Sequence, residues 1–138
     1  MKNLLLNYDD QVAQWAFNTF NYAPTKYDMA IGIVENDRIV GAALYHAWNG
    51  PDVEISYYGP QTMTLGIIKA LARVAVNHLG VSRITARTAK SNKAITRGIK
   101  GLGFEYEGIR HNAYGGADAV MYGLYGRNLA RLAGRTLQ

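Results

Sequence analysis

The chain has 138 residues, of which 49% are hydrophobic and 18% are charged, and these values fit one globular domain with a real core. It contains no cysteine, which excludes disulfides, thiolate metal sites and covalent acyl-cysteine chemistry. No run of about 18 apolar residues occurs, so we expect a cytoplasmic protein without a membrane span.

The net charge of +5 is unevenly distributed along the chain. Residues 1–64 carry three basic and seven acidic side chains, whereas residues 65–138 carry twelve basic and three acidic ones. Two interpretations stay open. The second half binds a polyanion, either a phosphorylated ligand or a nucleic acid, or it simply presents a solvated basic face.

The first half predicts one helix followed by three strands. Asp9 or Asp10 caps a helix whose apolar residues recur at helical spacing. Met29–Glu35 and Ile39–Trp48 are rich in β-forming residues and flank a short polar turn, which predicts a hairpin. Val53–Tyr58 alternates apolar and polar residues and is the third strand.

The second half predicts helix, strand, helix and two strands. Leu65–Leu79 carries an apolar stripe at helical spacing and is followed by glycine. Arg83–Thr88 is a strand, residues 91–102 form a short helix, and Phe104–Ile109 and Ala117–Tyr125 are the last two strands. Together with the first half, this order predicts an α/β fold with a mixed sheet.

The C-terminal residues are basic. We expect residues 1–126 to form the single domain and residues 127–138 a basic tail with arginines four apart, at positions 127, 131 and 135. Leu129 and Leu132 lie on the other side of a helix in this segment, which would suit docking on a partner or a nucleic acid. A solvated terminus is the favoured interpretation, because chain ends are usually loose.

The segment Ser91–Gly108, SNKAITRGIKGLGFEYEG, carries the strongest motif. A capped helix runs through a Gly-Phe stop into a strand with glutamates. This motif, N-x-A followed by G-F, resembles the C-terminal half of the GNAT superfamily of N-acetyltransferases. It is most similar to the branch that acetylates protein N-termini and to small members encoded by phages and prophages. The resemblance extends to the element order of nearly the whole chain, and it implies a mostly antiparallel sheet flanked by helices.

The resemblance implies acetyl-CoA as the cofactor. The loop Gln61-Thr62-Met63-Thr64-Leu65-Gly66 falls on the family's pyrophosphate pattern, with Gln61 and Gly66 matching and Thr64 replacing the first glycine. Such a loop aims backbone N–H groups at phosphates beside a helix N-terminus. Because the Cβ of Thr64 disfavours positive φ, we expect another loop path or weaker phosphate binding.

The resemblance also assigns residues to the rest of the cofactor. Asn92 matches the asparagine beside the phosphopantetheine arm, and backbone groups around Ile55, Ser56 and Tyr57 match those that hold pantetheine and the thioester oxygen. Lys93 and Arg97 lie four apart on the same helix as Asn92, where they meet cofactor phosphates or remain solvent charges.

The transfer of acetyl from a thioester to an amine requires an unprotonated amine and a leaving thiolate. Glu54, on the strand before the loop, is the candidate base, and Asp52 is the second choice. The family's usual acid is a tyrosine at a position that is Ile99 here. Tyr58 and Tyr114 are candidate substitutes, as is Tyr106, unless water protonates the thiolate or catalysis is lost.

The expected function is direct acetyl transfer from acetyl-CoA to a primary amine. The first choice of acceptor is a protein N-terminus or lysine, and a small-molecule amine is also open. One alternative is acetylation of an aminoacyl-tRNA, as in GNAT-type toxins, which would make RNA a partner. Another is a protein that keeps the fold without catalysis and acts by binding a partner. Homodimerisation through the last strands is plausible, and no residue decides it.

Overall fold

The computed structural model describes residues 2–59, 64–91, 93–113 and 115–134, with the side chains of Ala94 and Ile95 left out. Within these residues the chain order is β1 (Asn3–Leu5), α1 (Asp9–Phe20), β2 (Met29–Glu35), β3 (Arg38–His46), β4 (Asp52–Tyr58), α2 (Leu65–His78), β5 (Arg83–Ala89), α3 (Lys93–Gly101), β6 (Glu105–Arg110), β7 (Ala119–Tyr125) and α4 (Gly126–Ala133). None of the helices in this part of the chain combines the length and hydropathy needed to cross a membrane.

The strands form one sheet in the order β1-β2-β3-β4-β5-β7-β6. Every neighbouring pair is antiparallel except β4 and β5, which are parallel because α2 carries the chain from the end of one to the start of the other. The predicted fold class, a mixed and mostly antiparallel sheet flanked by helices, is confirmed.

Helix α1 covers the β2–β3 part of one sheet face. Its buried residues recur at helical spacing and meet small residues of the strands; this cluster comprises Val12, Ala13, Ala16, Phe17, Ala30, Ala42 and Leu44. Gly32 of β2 lies directly under α1, since a Cβ there would approach Val12 Cγ2 to 3.1 Å. The small strand residues therefore let the helix pack closely on the sheet.

Helices α2 and α4 cover the other face. The shared core contains Tyr45, Val53, Ile84 and Leu124 from the sheet, Ile67, Leu71, Ala72 and Ala75 from α2, and Leu129, Leu132 and Ala133 from α4. The buried Tyr45 hydroxyl donates to the Leu71 carbonyl at 2.7 Å, and burial raises the pKa of this phenol. The tyrosine thus fastens α2 to the middle of the sheet.

The interpretation of residues 127–138 as a solvated tail is wrong for residues 127–133. Together with Gly126 these residues form α4, whose Leu129 and Leu132 are about 95% buried, and Arg73 Nε donates to the Ala133 carbonyl at 2.9 Å. Arg127 and Arg131 lie on the exposed outer face of this docked helix. The domain accordingly continues through Ala133, beyond the expected boundary at residue 126.

Two further details differ from the sequence prediction. Neither Asp9 nor Asp10 caps α1: Tyr8 occupies the N-cap position without a side-chain bond, Asp9 Oδ2 accepts from the Ala30 N–H at 2.8 Å, and Asp10 accepts from the Tyr27 hydroxyl. The acids therefore tie α1 to the segment around β2. The short edge strand β1 was not predicted, because three residues carry too little alternation to be recognised.

Candidate active site

The sheet opens between β4 and β5. The two strands pair only from Asp52↔Arg83 to Ile55↔Ala86, although each continues for three more residues. Beyond that point Ser56–Tyr58 remains paired with β3, and Arg87–Ala89 remains paired with β7. At the carboxyl ends of these parallel strands, Ser56–Tyr58 and Arg87–Ala89 therefore do not pair with each other, and we call this break in the pairing the gap.

Two helices begin beside this gap. Helix α2 follows β4, and α3 follows β5. Thr64 is the N-cap of α2, and its hydroxyl accepts the Ile67 N–H at 3.3 Å. The N–H groups of Leu65 and Gly66, which have no acceptor within the helix, point outward at its positive end. This arrangement suits an anion.

Thr64 therefore serves as the N-cap of α2, at the position where the family pattern has its first glycine. Its backbone is extended, with φ −70° and ψ 149°, so the Cβ causes no strain. The extended backbone at Thr64 agrees with the expectation of another loop path, and the strength of phosphate binding stays a prediction. Gly66 has open space around it, since a Cβ placed there would meet nothing within 4 Å.

A cavity of about 350 Å³ lies where β5 gives way to α3, against the β6–β7 loop. It is lined by Lys90, Ser91, Lys93, Gly116, Ala117 and Asp118. The Asn112 N–H, together with His111, holds the pKa of the Asp118 carboxyl below its usual range. Lys93 thus lies at an opening with a second lysine and a carboxylate, while Arg97 is exposed one turn further along α3.

Glu54 lies beside the gap, opposite His46 on the neighbouring strand, and only 12% of its side chain is exposed. Its Oε1 lies 2.8 Å from Arg87 Nε, yet among the described groups no donor hydrogen points at this oxygen, so the contact is an ion pair without a hydrogen bond. Its Oε2 lies 3.7 Å from His46 Nδ1, directly across the β3–β4 pair. The predicted base is therefore held between two nitrogen-bearing side chains.

Asp52, the second candidate base, is occupied by structural contacts. It accepts from the Thr85 hydroxyl at 2.9 Å and lies 3.5 Å from Arg83 Nε. Arg83 also forms a two-pronged ion pair with Glu107, and this pair holds the pKa of Glu107 below its usual value. These contacts hold the start of β5 to its neighbour β4 on one side and, across β7, to β6 on the other.

Glu107 reaches Arg83 because of a β-bulge. The register of β6 on β7 skips from Tyr106 to Gly108, which leaves Glu107 as the extra residue. Its carboxylate lies across Gly123, where a Cβ would come within 2.5 Å of Oε2. Glu105, on the same strand, accepts from the Tyr125 hydroxyl. Both glutamates are therefore engaged by the protein's own groups.

His46 is a site residue that the sequence did not indicate. Its Nε2 lies 2.7 Å from the Ser56 hydroxyl, and its Nδ1 faces Glu54. Burial lowers the pKa of His46 below 6.5, and the Arg87 charge lowers it further, against the opposite influence of Glu54 and Asp28. The signal that would reveal it is strand register, since His46 and Glu54 become neighbours only once β3 and β4 are paired.

The tyrosines at the end of β4 lie on opposite sheet faces. Tyr57 is half-buried on the α2 side, and burial raises its pKa. Tyr58 lies on the α1 side, where its ring makes edge-on or tilted contacts with Phe17, Phe20 and Tyr22 at centroid distances of 5.7 to 6.4 Å. This aromatic cluster forms the α1-side wall at the mouth of the gap.

Some predicted site residues lie outside the described part of the chain: Gln61, Thr62, Met63, Asn92 and Tyr114. Their predicted roles stay predictions. Gly98 and Gly101 of α3 are in open space, since a Cβ at either would meet no described atom within 4 Å.

Solved structures with this fold are acetyltransferases. An N-acetyltransferase from Staphylococcus aureus Mu50 superposes with a TM-score of 0.71 at 17% identity, over 91% of this chain and 97% of that one. The ribosomal-protein-S18-alanine N-acetyltransferase from Escherichia coli gives 0.63 at 20% identity, over 93% and 98%. The resemblance to GNAT proteins is thereby confirmed for the fold.

Other comparisons are more partial. A GCN5-related N-acetyltransferase from Brucella melitensis gives a TM-score of 0.66 at 16% identity, over 86% of this chain. The chain spans only 61 to 65% of the length of this and three other acetyltransferase structures that it matches. No protein-family model and no curated protein matches the chain.

Proposed function

We propose that the protein is an acetyl-CoA-dependent N-acetyltransferase that transfers the acetyl group directly to a primary amine of a protein or peptide. The observation that carries this proposal is the gap between β4 and β5, flanked by two helix N-termini, in a fold shared with acetyltransferases. The gap opens at the carboxyl ends of two parallel strands, which is where α/β sheets bind ligands.

The described residues fit the cofactor. The N–H groups of Leu65 and Gly66 at the start of α2 would donate to the pyrophosphate, and Lys93 and Arg97 would add positive charge near the start of α3. The inner edge of β4 at Ser56–Tyr58 offers backbone groups to the amides of the pantetheine arm. The cofactor itself supplies an acetyl group activated as a thioester.

The absence of a tyrosine at Ile99 is compatible with turnover. Ile99 lies on α3, and its hydrocarbon side chain cannot donate a proton. A thiol has a pKa of about 8.5, so a thiolate leaves readily near neutral pH and water suffices to protonate it. Tyr58, held among aromatic rings at the gap, remains the proposed alternative donor.

A protein amine is the favoured acceptor because of the relatives. The Escherichia coli structure is named for an alanine of a ribosomal protein, and it matches this chain over nearly its whole length. The acidic first half of the chain, which contributes β1–β4 and α1, would attract a cationic amine, while the basic second half would attract cofactor phosphates.

Calorimetric titration with acetyl-CoA tests the proposal first. We expect micromolar binding, which corresponds to about −8 kcal/mol. No binding at millimolar ligand would refute the proposal and favour a protein that acts by binding a partner. A second step presents acetyl-CoA with peptides that have a free α-amine, a free lysine or neither, and with aminoacyl-tRNA. Acetylation of aminoacyl-tRNA alone would identify the toxin-like alternative.

A further inference from the structure

His46, Ser56 and Glu54 form a connected polar chain at the mouth of the gap. Ser56 is the first residue of β4 beyond the last pair with β5, so its hydroxyl lies where the gap begins. This hydroxyl is 2.7 Å from His46 Nε2, and the other ring nitrogen is 3.7 Å from Glu54 Oε2. Register explains the arrangement, because His46 pairs with Glu54 while Ser56 is two residues further along the same face.

Glu54 is poorly placed to take a proton directly. It is 12% exposed, and Arg87 Nε lies 2.8 Å from one of its oxygens. The ion pair with Arg87 therefore occupies this oxygen. The second oxygen faces His46, so Glu54 is positioned to stabilise a positive charge on the imidazole.

We propose that His46 is the general base for the acceptor amine, acting through the Ser56 hydroxyl, with Glu54 as a positioning residue. This inference rests on the proposed acetyltransferase function. The ammonium group of the acceptor gives a proton to Ser56 Oγ as Ser56 gives its own proton to His46 Nε2. The neutral amine then attacks the thioester carbonyl, forming the C–N bond as the C–S bond breaks. The second amine proton goes to the leaving thiolate, and His46 releases its proton to water.

The surroundings of His46 suit this role. The charged groups that face it are Glu54 on β4, Arg87 on β5 and Asp28 before β2. Burial keeps the imidazole neutral near physiological pH, which leaves Nε2 free to accept. General-base catalysis by a positioned side chain typically contributes about 10²- to 10⁴-fold in rate.

Two acceptors of nearly equal shape test the relay. Ethylamine is protonated near neutral pH and needs a base, whereas methoxyamine is already neutral and does not. We expect His46→Gln to slow acetylation of ethylamine by roughly 100-fold or more, and acetylation of methoxyamine by less than about 3-fold. Glutamine preserves a polar atom near Ser56 but cannot take up the proton. His78→Gln, at an exposed position on α2, is the matched control and should change neither rate.

Several outcomes would overturn the relay while leaving the proposed function intact. Equal slowing of both amines by His46→Gln, with acetyl-CoA binding unchanged, would indicate a structural role. Detection of an acetyl group on Ser56 by mass spectrometry would replace the relay with a covalent route. Failure of acetyl-CoA to bind wild-type protein, in contrast, would remove the proposed function itself.

If neither amine reacts, the relay is tested by a measurement that needs no turnover. Nitrogen-15 NMR of labelled histidine should find neutral His46 protonated at Nδ1, with Nε2 accepting from Ser56, and Ser56→Ala should shift the Nε2 resonance. A His46 protonated at Nε2 in its neutral form would refute the relay.

Discussion

Replacement of Leu65 by proline removes a single backbone donor from the start of α2. Leu65 is the first helical residue, a position that proline favours because its missing N–H has no partner within the helix. The preceding Thr64 is already extended, at φ −70° and ψ 149°, as a residue before proline must be. The Leu65 side chain is 53% exposed, so little packing is lost.

The expected effect falls on acetyl-CoA binding alone. A hydrogen bond to a charged group contributes about 1.5–3 kcal/mol, and the exposed site favours the lower end of this range. We therefore expect Leu65→Pro to weaken acetyl-CoA binding roughly 10-fold. The free energy of unfolding should remain within about 0.5 kcal/mol of wild type.

Calorimetric titration of both Leu65→Pro and Leu65→Ala separates the donor from the side chain. The alanine variant keeps the N–H and should bind acetyl-CoA like wild type. Equal dissociation constants for the two variants would show that the Leu65 N–H does not bind the pyrophosphate. The assignment of the α2 N-terminus to phosphate binding would then be wrong, even if acetyl-CoA binds elsewhere.

Three further predictions concern stability. Leu129→Ala should lower the free energy of unfolding, measured by urea titration, by about 2–3 kcal/mol, because the Leu129 side chain is 95% buried. Arg131→Ala, on the exposed face of the same helix, should lower it by less than about 0.5 kcal/mol. Equal losses for the two variants would contradict the docking of α4. The free energy of unfolding of the wild type should fall relative to that of His46→Gln as the pH drops from about 7.5 to about 5.5. The pKa of His46 is lower in the native state than in the unfolded state, so the unfolded state binds more protons in this range. Parallel curves of stability against pH for the two proteins would refute this prediction. Thermal unfolding should show that Gly59→Ala destabilises more than Gly66→Ala, because only the first Cβ meets a tyrosine ring and backbone within 3.1 Å.

The sequence predicts the strands and the longer helices well because their side-chain periods are visible locally. It fails for α4, where a loose, solvated chain end is the favoured expectation. The same helix buries Leu129 and Leu132, but which side of a short terminal helix docks depends on the sheet it meets. Tertiary burial, rather than local propensity, decides this element.

The candidate site divides along a similar line. The sequence identifies Glu54 as a candidate base from its place on β4. It also identifies the start of α2 as a candidate phosphate site, because this helix follows β4. His46 is not identified in this way, because the connection between β3 and β4 leaves the register open, and only pairing brings the histidine beside Glu54 and Ser56. The capping role of Thr64 was equally hidden, since a family pattern suggested a glycine where the helix needs a hydroxyl.

The gap between β4 and β5 also bears on self-association. An open sheet normally exposes two edges, here β1 and β6, and exposed edges are templates for pairing with other chains. The gap creates two more, Ser56–Tyr58 and Arg87–Ala89, but each is only three residues long. A strand from another molecule has too little length to pair there. The unpaired backbone inside the sheet therefore adds little to the exposed edges that invite aggregation.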